Sequence, residues 1–207
     1  NELSYVLLEL ADELRMRQPN FHVRIHENTP KAFYDEVIRI HFGAGSAPAM
    51  YNDETIIESM MNVGYSLEDA RNYVAIGCVE PTAPGKSLAS TDAGMYNMPL
   101  AVEMALNEGK QFHSSKQIGA KTPPVSEMRS MDDFVAAYDT QVKHQLGKLR
   151  RDLEAIERFH AEHHPTPLTS SMVEGCVEQG VCSTSGGAIY NFSGIQGTGM
   201  AVVADSL

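Results

Sequence analysis

Positively charged residues are scarce in this sequence of 207 residues. Its 16 lysines and arginines stand against 27 aspartates and glutamates, which gives a formal net charge of −11 at pH 7. Recognition of nucleic acid uses a basic surface, and binding to an anionic membrane uses clusters of lysine and arginine. The charge balance therefore argues against both classes of partner, and an acidic surface of this kind mainly keeps a protein soluble.

Long apolar runs and a recognisable signal peptide are also missing from the sequence. The three cysteines are an odd number in a chain of this size, so we do not expect a disulfide framework. Reduced thiols are typical of the cytosol. We therefore predict a cytoplasmic protein with no membrane partner.

The two ends of the sequence lack the features of protein termini. The first residue is Asn1 rather than methionine, and Leu207 lies inside an apolar pattern that continues to the last residue. The length is sufficient for the buried core of one or two domains. We therefore expect the sequence to be a segment of a longer protein.

Helix and strand patterns alternate along the first third of the chain. Apolar residues at spacings of three and four predict helices, and apolar-polar alternation predicts strands. This order favours a parallel α/β architecture, in which functional loops lie beyond the carboxyl ends of the strands. The predicted elements are a helix over residues 3–17 that ends near Pro19, a strand over 21–25, a helix from Thr29 and Pro30 to the glycines at 43 and 45, an extended piece over 48–51, a helix from 52 to Gly64, and a short helix opened by a capping box at 66–69.

The rest of the chain is predicted to contain more helix than strand. Turn-forming residues predict a loop over 82–92, and a helix follows over 95–107. Ser130 and Asp133 stand at the capping-box interval in front of the longest predicted helix. The glycine-rich passage over 183–199 has neither the P-loop spacing nor the dinucleotide-binding spacing, so no phosphate site is predicted there.

Three histidines, His160, His163 and His164, lie at the end of the longest predicted helix. At this spacing they could share a helix face and bind a metal ion. A solvated last turn before Pro165, where the helix dipole favours imidazoles, explains the same pattern. The solvated turn is the favoured interpretation, and we predict no bound metal.

The stretch over residues 73–81 brings a thiol and a carboxylate together. An apolar run typical of a strand ends in Cys78, and Glu80 follows two residues later, before Pro81. In an extended chain the side chains alternate in direction, so Cys78 and Glu80 would face the same way, roughly 7 Å apart along the backbone. We expect a small substrate to contact both side chains.

The thiol of Cys78 has several possible roles. A buried structural role is common, because free cysteine is among the most buried residue types. A nucleophilic thiolate is favoured by a cationic partner, whereas the neighbour here is a carboxylate, and a zinc site would need further cysteine or histidine ligands. A thiyl radical needs no thiolate, and Glu80 could then act as a base on a substrate hydroxyl or ammonium group. Among the functional roles, the radical fits best.

Several segments resemble the glycyl radical enzyme family, to which pyruvate formate-lyase belongs. The sequence Gly-Cys-Val-Glu-Pro at residues 77–81 is similar to the eliminase branch, which includes glycerol and propanediol dehydratases, hydroxyproline dehydratase, choline trimethylamine-lyase and isethionate sulfite-lyase. The flanking stretches at 48–54, 66–73, 186–194 and 204–206 fit the same family pattern. The resemblance thus covers nearly the whole chain.

The resemblance implies a role for five residues. By position, Cys78 would carry the thiyl radical that abstracts hydrogen from the substrate, and Glu80 would be the base that assists elimination of water, amine or sulfite. Thr91, Asp92 and Met95 fall where family members place substrate-binding residues, although turn formation and helix capping would also explain Thr91 and Asp92.

The resemblance also implies a fold, a cofactor and partners. The expected fold is α/β, part of the ten-stranded α/β barrel of glycyl radical enzymes, with residues 1–207 forming a central segment of the catalytic domain. The C-terminal loop Arg-Val-x-Gly-aromatic of the family is absent from this sequence, so the glycyl radical would lie on a residue outside this chain. The implied partners are a small-molecule substrate, a radical SAM activating enzyme with an iron-sulfur cluster, and a second copy of the full-length chain in a homodimer.

Three other functions stay open on the sequence alone. One is a formate C-acetyltransferase-like enzyme, although pyruvate formate-lyase has two adjacent catalytic cysteines and residue 77 here is glycine. Another is a truncated, non-catalytic homologue, since the radical loop is missing and the segment alone is predicted to be inactive. The last is a metal-dependent hydrolase that uses the three histidines near residue 160.

Overall fold

Contacts between residues divide the chain into two units, Asn1–Ser87 and Leu88–Leu207. The computed structural model describes residues 2–15, 20–44, 48–88 and 90–207. The elements of the first unit are α1 (Glu2–Leu14), β1 (His22–Ile25), α2 (Lys31–Ala44), β2 (Ala49–Asn52), α3 (Asp53–Asn62), α4 (Leu67–Arg71), β3 (Val74–Ile76) and β4 (Glu80–Thr82).

The first unit is built around the parallel pair β1 and β2, in which His22 lies opposite Ala49 and Arg24 opposite Tyr51. Because side chains alternate along a strand, the two faces of this pair have different neighbours. One face carries Val23, which packs on a core of α1 and α2 residues. The other face carries Tyr51, which packs with Tyr73 next to α3 and α4.

A charged network fixes the residue that precedes β3. The guanidinium of Arg24 donates two hydrogen bonds of 2.8 and 2.9 Å to the carboxylate of Asp53, and a third of 3.1 Å to the Tyr73 carbonyl oxygen. The hydroxyl of Tyr73 donates to Asp53 at 2.8 Å, and its ring lies 4.0 Å below the Arg24 guanidinium. Burial opposes ionisation of Asp53, but the hydrogen bonds from Arg24 and Tyr73 outweigh it and lower the pKa of this carboxyl. The start of β3 is therefore held to β1.

The second unit is dominated by one helix of 33 residues and a parallel strand pair. Its elements are β5 (Ser90–Asn97), α5 (Met98–Leu106), α6 (Met131–His163), α7 (Pro167–Ser170), α8 (Cys176–Gln179), β6 (Ser193–Thr198) and α9 (Met200–Ser206). Strands β5 and β6 pair in parallel, and Met95 lies opposite Gln196. Short 3-10 helices occur at Val125–Glu127 and Ser183–Ser185.

Local capping signals were reliable predictors of helix boundaries. The hydroxyl of Ser130 accepts a hydrogen bond from the Asp133 amide, and the Asp133 carboxylate accepts one from the Ser130 amide, which confirms the capping box of α6. Ser66 caps α4 in a similar way, and Gly64 follows α3 with a φ of 110°. The predicted boundaries at residues 16–19 and at Gly45 lie outside the described residues, as does Ala89 of the predicted loop.

The predicted helix over 95–107 begins too early. Residues 90–97 form strand β5, and α5 begins at Met98 with the Asn97 side chain as its cap. The strand is stabilised by β6, about a hundred residues later in the chain, so no local pattern reveals it. A Cβ atom on Gly194 would lie 2.2 Å from the Thr91 carbonyl oxygen, so the glycine at this position lets the two backbones approach.

Candidate active site

A tight hairpin carries the two residues that the sequence singled out. Strands β3 and β4 pair antiparallel with Ile76 opposite Glu80, and residues 77–79 form the turn between them. The predicted extended conformation from Cys78 to Glu80 is therefore wrong, because the chain reverses at Cys78. Pro81 lies inside β4, opposite Ala75. A two-stranded hairpin tolerates a proline because each strand has a free edge.

Gly77 is the residue that allows this turn. Its φ of +57° lies in the left-handed region, which costs other residues roughly 1–2 kcal/mol. A Cβ atom at this position would also lie 2.9 Å from Oε2 of Glu80. Glycine is thus favoured here by the backbone conformation and by the carboxylate that folds back beside it.

The carboxylate of Glu80 is buried beneath the turn, with 8% of the residue exposed. Its Oε2 accepts hydrogen bonds from the backbone amides of Cys78 at 2.9 Å and Val79 at 2.8 Å. Backbone amide donors around an acidic oxygen are the usual way to compensate its burial. The carboxylate is thereby fixed against the residue that carries the thiol.

The side chain of Cys78 is exposed at the tip of the hairpin. This exposure disagrees with the interpretation of Cys78 as a buried structural thiol. A thiol at an exposed turn can be reached by a substrate, whereas the buried Glu80 next to it is held in a fixed position. The hairpin therefore places an accessible thiol next to an immobile carboxylate.

Two side chains at and just before the start of β1 bind the turn, and sequence reasoning missed both. Nδ2 of Asn20 donates to the Cys78 carbonyl oxygen at 2.7 Å, and Nε2 of His22 lies 2.7 Å from the same oxygen. A signal was available, because Asn20, His22 and Arg24 are polar residues at every second position. Such a spacing places polar groups on one face of a strand.

Tyr51 completes the surroundings of the hairpin. Its ring packs edge-on against His22 with ring centroids 5.5 Å apart. The residue is 7% exposed, and within the described ranges its hydroxyl has no hydrogen-bond partner. Burial, and then the charges of Glu80 and Cys78, raise the pKa of Tyr51. The phenol therefore stays protonated next to the carboxylate and the thiol.

The profile of the family described as pyruvate formate lyase-like matches residues 1–207, the full length of the chain. The chain belongs to this family.

Relatives of the chain within the pyruvate formate lyase-like family are glycyl radical dehydratases and lyases. The chain is 36% identical over 207 residues to trans-4-hydroxy-L-proline dehydratase of Clostridioides difficile, and 37% identical over 210 residues to (2S)-3-sulfopropanediol dehydratase of Klebsiella oxytoca. The alignments cover 100% of this chain but 26% and 25% of the two enzymes. The chain thus spans about a quarter of the length of these relatives.

The fold agrees with that of solved structures in the family. The glycerol-bound B12-independent glycerol dehydratase from Clostridium butyricum superposes with a TM-score of 0.83 at 40% identity, over 100% of this chain and 26% of that one. These neighbours have the α/β barrel fold, which confirms the predicted family and fold class. The mixed α/β structure described here corresponds to about a quarter of such an enzyme.

Three further residues named from the family resemblance lie on β5, in the second unit. Thr91 is partly buried, whereas Asp92 and Met95 are exposed. None of them begins a helix, because β5 continues to Asn97. The pairing of β5 with β6 is irregular between residues 90 and 94, the part that contains Thr91 and Asp92, and such irregularities are frequent near functional sites. Their proximity to Cys78 stays a prediction.

The histidines at the end of α6 do not form a metal site. Nowhere in the described part of the chain do three His, Cys, Asp or Glu side chains come together as a metal site would require. The rings of His163 and His164 pack instead around Phe159, with ring centroids 4.7 and 5.4 Å from its own. The described residues thus provide no group of three ligands for the hypothesis of a metal-dependent hydrolase. No helix in the described ranges is long and apolar enough to cross a membrane.

Cys182, in the second unit, has surroundings that favour its thiolate. The Cys182 sulfur lies 3.2 Å from the Ser170 hydroxyl and 3.3 Å from the Thr184 hydroxyl, and it accepts a hydrogen bond of 3.1 Å from the Thr166 amide. These hydrogen bonds, that of Ser170 first, lower the pKa of Cys182 to about 6. Burial raises the pKa of Cys176.

The lowered pKa of Cys182 predicts how this thiol reacts with iodoacetamide. A thiol with a pKa of about 6 is mostly thiolate at pH 7, and its alkylation rate should fall only when the pH drops below about 6. Replacement of Thr184 by alanine removes one hydrogen-bond donor and should move this inflection to higher pH. Peptide mass spectrometry over pH 5–9 measures the rate, with Cys176 as the internal comparison. An inflection of Cys182 near about 8.5, as for an ordinary thiol, would contradict the prediction.

Proposed function

We propose that the chain is the central catalytic segment of a glycyl radical lyase, in which Cys78 carries the reacting thiyl and Glu80 is the base. The observation that carries this proposal is the hairpin, which exposes the Cys78 side chain while the Glu80 carboxylate binds the Cys78 and Val79 amides. The family membership supports the same reaction class. No cationic group is needed for a sulfur that reacts as a radical.

A glycyl radical, held on a residue outside this chain, would supply the oxidising equivalent that converts the Cys78 thiol to a thiyl by removing one hydrogen atom. The residues present fit such a group, because Cys78 is exposed at the hairpin tip and can be reached from outside this segment. A radical SAM activating enzyme with an iron-sulfur cluster would generate that radical, and the intact enzyme would be a cytoplasmic homodimer.

The proposed reaction at the hairpin consists of hydrogen transfer to Cys78, elimination of the leaving group and return of a hydrogen atom to the product. The Cys78 sulfur takes a hydrogen atom from a substrate carbon that bears a hydroxyl or a similar group such as an ammonium, which leaves the unpaired electron on that carbon. Glu80 removes a proton from that group, and the neighbouring carbon loses its leaving group. A hydroxyl leaves as water with the proton that Glu80 has taken up, whereas sulfite, or an amine from an ammonium group, leaves without a further proton. The resulting carbonyl-stabilised radical recovers a hydrogen atom from the Cys78 thiol, so the thiyl is regenerated.

The main contribution of the protein to these steps is to hold the reacting groups in position. A base that is already fixed and hydrogen-bonded needs no rearrangement when the proton is transferred, which is a common source of rate enhancement. Thr91, Asp92 and Met95 are proposed substrate-binding residues on β5. We expect the positions of these residues, together with the leaving group, to determine which small hydroxylated compound is the substrate.

Turnover by the intact enzyme, the longer protein that contains this chain, tests the function. The protein is activated anaerobically with a radical SAM activase, and the glycyl radical is quantified by electron paramagnetic resonance. Glycerol, trans-4-hydroxy-L-proline and (2S)-3-sulfopropanediol are the first substrates to test, because the relatives described above act on them or are named for them. Loss of water that depends on the radical is the expected result.

Other outcomes separate the competing functions. Coenzyme A-dependent cleavage of pyruvate would support the formate C-acetyltransferase alternative. That alternative is disfavoured because a second cysteine at position 77 would place its Cβ atom 2.9 Å from Oε2 of Glu80. Failure to form any radical on activation would support a non-catalytic homologue. Elimination that proceeds without activation would contradict the radical mechanism.

A further inference from the structure

Both backbone polar groups of Cys78 are bound by side chains. Its amide donates to Glu80, and its carbonyl oxygen is bound by Asn20, which precedes β1, and by His22, the first residue of β1, 58 and 56 positions earlier in the chain. We infer that Asn20 and His22 are positioning residues that fix the sulfur of Cys78 for hydrogen transfer. This inference rests on the proposed function and extends it to two residues that the family resemblance did not indicate.

The carbonyl of Cys78 is bound more completely than a turn requires. A carbonyl oxygen has two lone pairs, and the distances of 2.7 Å to Asn20 and to His22 account for both. A carbonyl group at an exposed turn can be satisfied by water alone, and loops at the surface are more mobile than the elements they connect. Here the peptide planes on both sides of Cys78 are held, so the sulfur can move only by rotation about its own side-chain bond.

One of the two donors, His22, is itself held in place. The edge-on contact with Tyr51 orients the His22 ring, and Tyr51 belongs to a core cluster with Tyr73. A hydrogen on Nε2 of His22 completes the bond to the carbonyl oxygen, and both the Nε2-protonated neutral ring and the imidazolium provide one. The hairpin tip is thus connected through His22 to the strand pair of the first unit.

The catalytic consequence follows from the short range of hydrogen-atom transfer. A misplacement of about 1 Å at a reacting centre can cost about 10²-fold in rate. Loss of either donor would let the Cys78 peptide rotate and would move the sulfur relative to the substrate carbon. Substrate binding would change little, because the substrate does not contact the carbonyl of Cys78 in the proposed reaction.

Two pairs of variants in the intact enzyme test this inference. Asn20→Asp keeps the size of the side chain but replaces its donor with an acceptor that repels the carbonyl oxygen, and Asn62→Asp, at an exposed position in α3, controls for the added charge. His22→Phe keeps an aromatic ring against Tyr51 but cannot donate, and His22→Gln restores a donor. We expect kcat per glycyl radical to fall about 10²-fold in Asn20→Asp and His22→Phe, with KM little changed.

A measurement on the resting protein separates positioning from misfolding. Hydrogen-deuterium exchange of the peptide over residues 76–82 should rise in the two impaired variants, while the melting temperature and the radical yield stay at wild-type values. Partial recovery of kcat in His22→Gln is the expected rescue.

The inference and the proposed function fail in different ways. Wild-type kcat per radical in both Asn20→Asp and His22→Phe would overturn the inference, and so would a loss explained entirely by a lower radical yield or by unfolding. A wild-type enzyme that forms the radical but eliminates nothing from any hydroxylated compound would overturn the proposed function, whatever the variants do.

Discussion

Replacement of Cys78 by alanine is expected to abolish turnover by the intact enzyme without reducing its glycyl radical signal. The proposed reaction has no other group that can take a hydrogen atom from the substrate and return one to the product radical. The side chain is exposed at the hairpin tip, so its removal leaves no cavity in the core. Turnover and spin concentration are measured on the same activated sample.

A second cysteine of the same chain provides the control. Cys182→Ala removes a thiol that is more readily ionised than an ordinary one, but that thiol has no part in the proposed reaction. This variant should keep near wild-type turnover per radical. If Cys182→Ala were inactive and Cys78→Ala active, the reacting cysteine would have been misassigned.

Replacement of Glu80 by glutamine should lower kcat by about 10²- to 10⁴-fold, the usual contribution of a general base. The amide oxygen of glutamine can accept the hydrogen bonds from the Cys78 and Val79 amides, so the turn should keep its conformation. The amide cannot, however, take the proton from the substrate. The loss is therefore expected in the chemical step, with an unchanged melting temperature.

Comparison with Glu80→Ala separates the structural role of Glu80 from its chemical role. Alanine removes the acceptor as well as the base, which leaves the two amides without a protein partner and should lower the melting temperature. If Glu80→Gln turned over like wild type while Glu80→Ala did not, Glu80 would serve only to hold the turn. A different residue would then have to be the base.

The sequence predicted the helix boundaries of this chain better than its strands. Ser130 and Asp133 cap α6 through contacts within three residues, so the local pattern contains all the information. Strand β5 was predicted in part as a helix because its partner β6 lies within a glycine-rich passage about a hundred residues away. Pairing at that distance leaves no signal in the local periodicity.

The segment that carries Cys78 and Glu80 has a different shape from the one that the sequence predicts. Cys78 and Glu80 stand out in the sequence as a thiol and a carboxylate beside a proline, yet the expected strand end is a hairpin turn. Gly77 was the available signal, since a glycine before the cysteine permits the positive φ that reverses the chain. Asn20 and His22 could not be assigned to the turn, because their contacts with it span more than fifty residues.

Transfer of deuterium through Cys78 tests the central claim most directly. A substrate on which the activated enzyme acts is prepared with deuterium at the carbon from which the Cys78 sulfur takes hydrogen, which is the carbon adjacent to the one that carries the leaving group. The proposed mechanism predicts a primary kinetic isotope effect and a product that carries deuterium at the carbon that lost the leaving group, because the Cys78 sulfur returns the atom it removed. A product that retains all its deuterium at the original carbon, formed without an isotope effect, would contradict the mechanism.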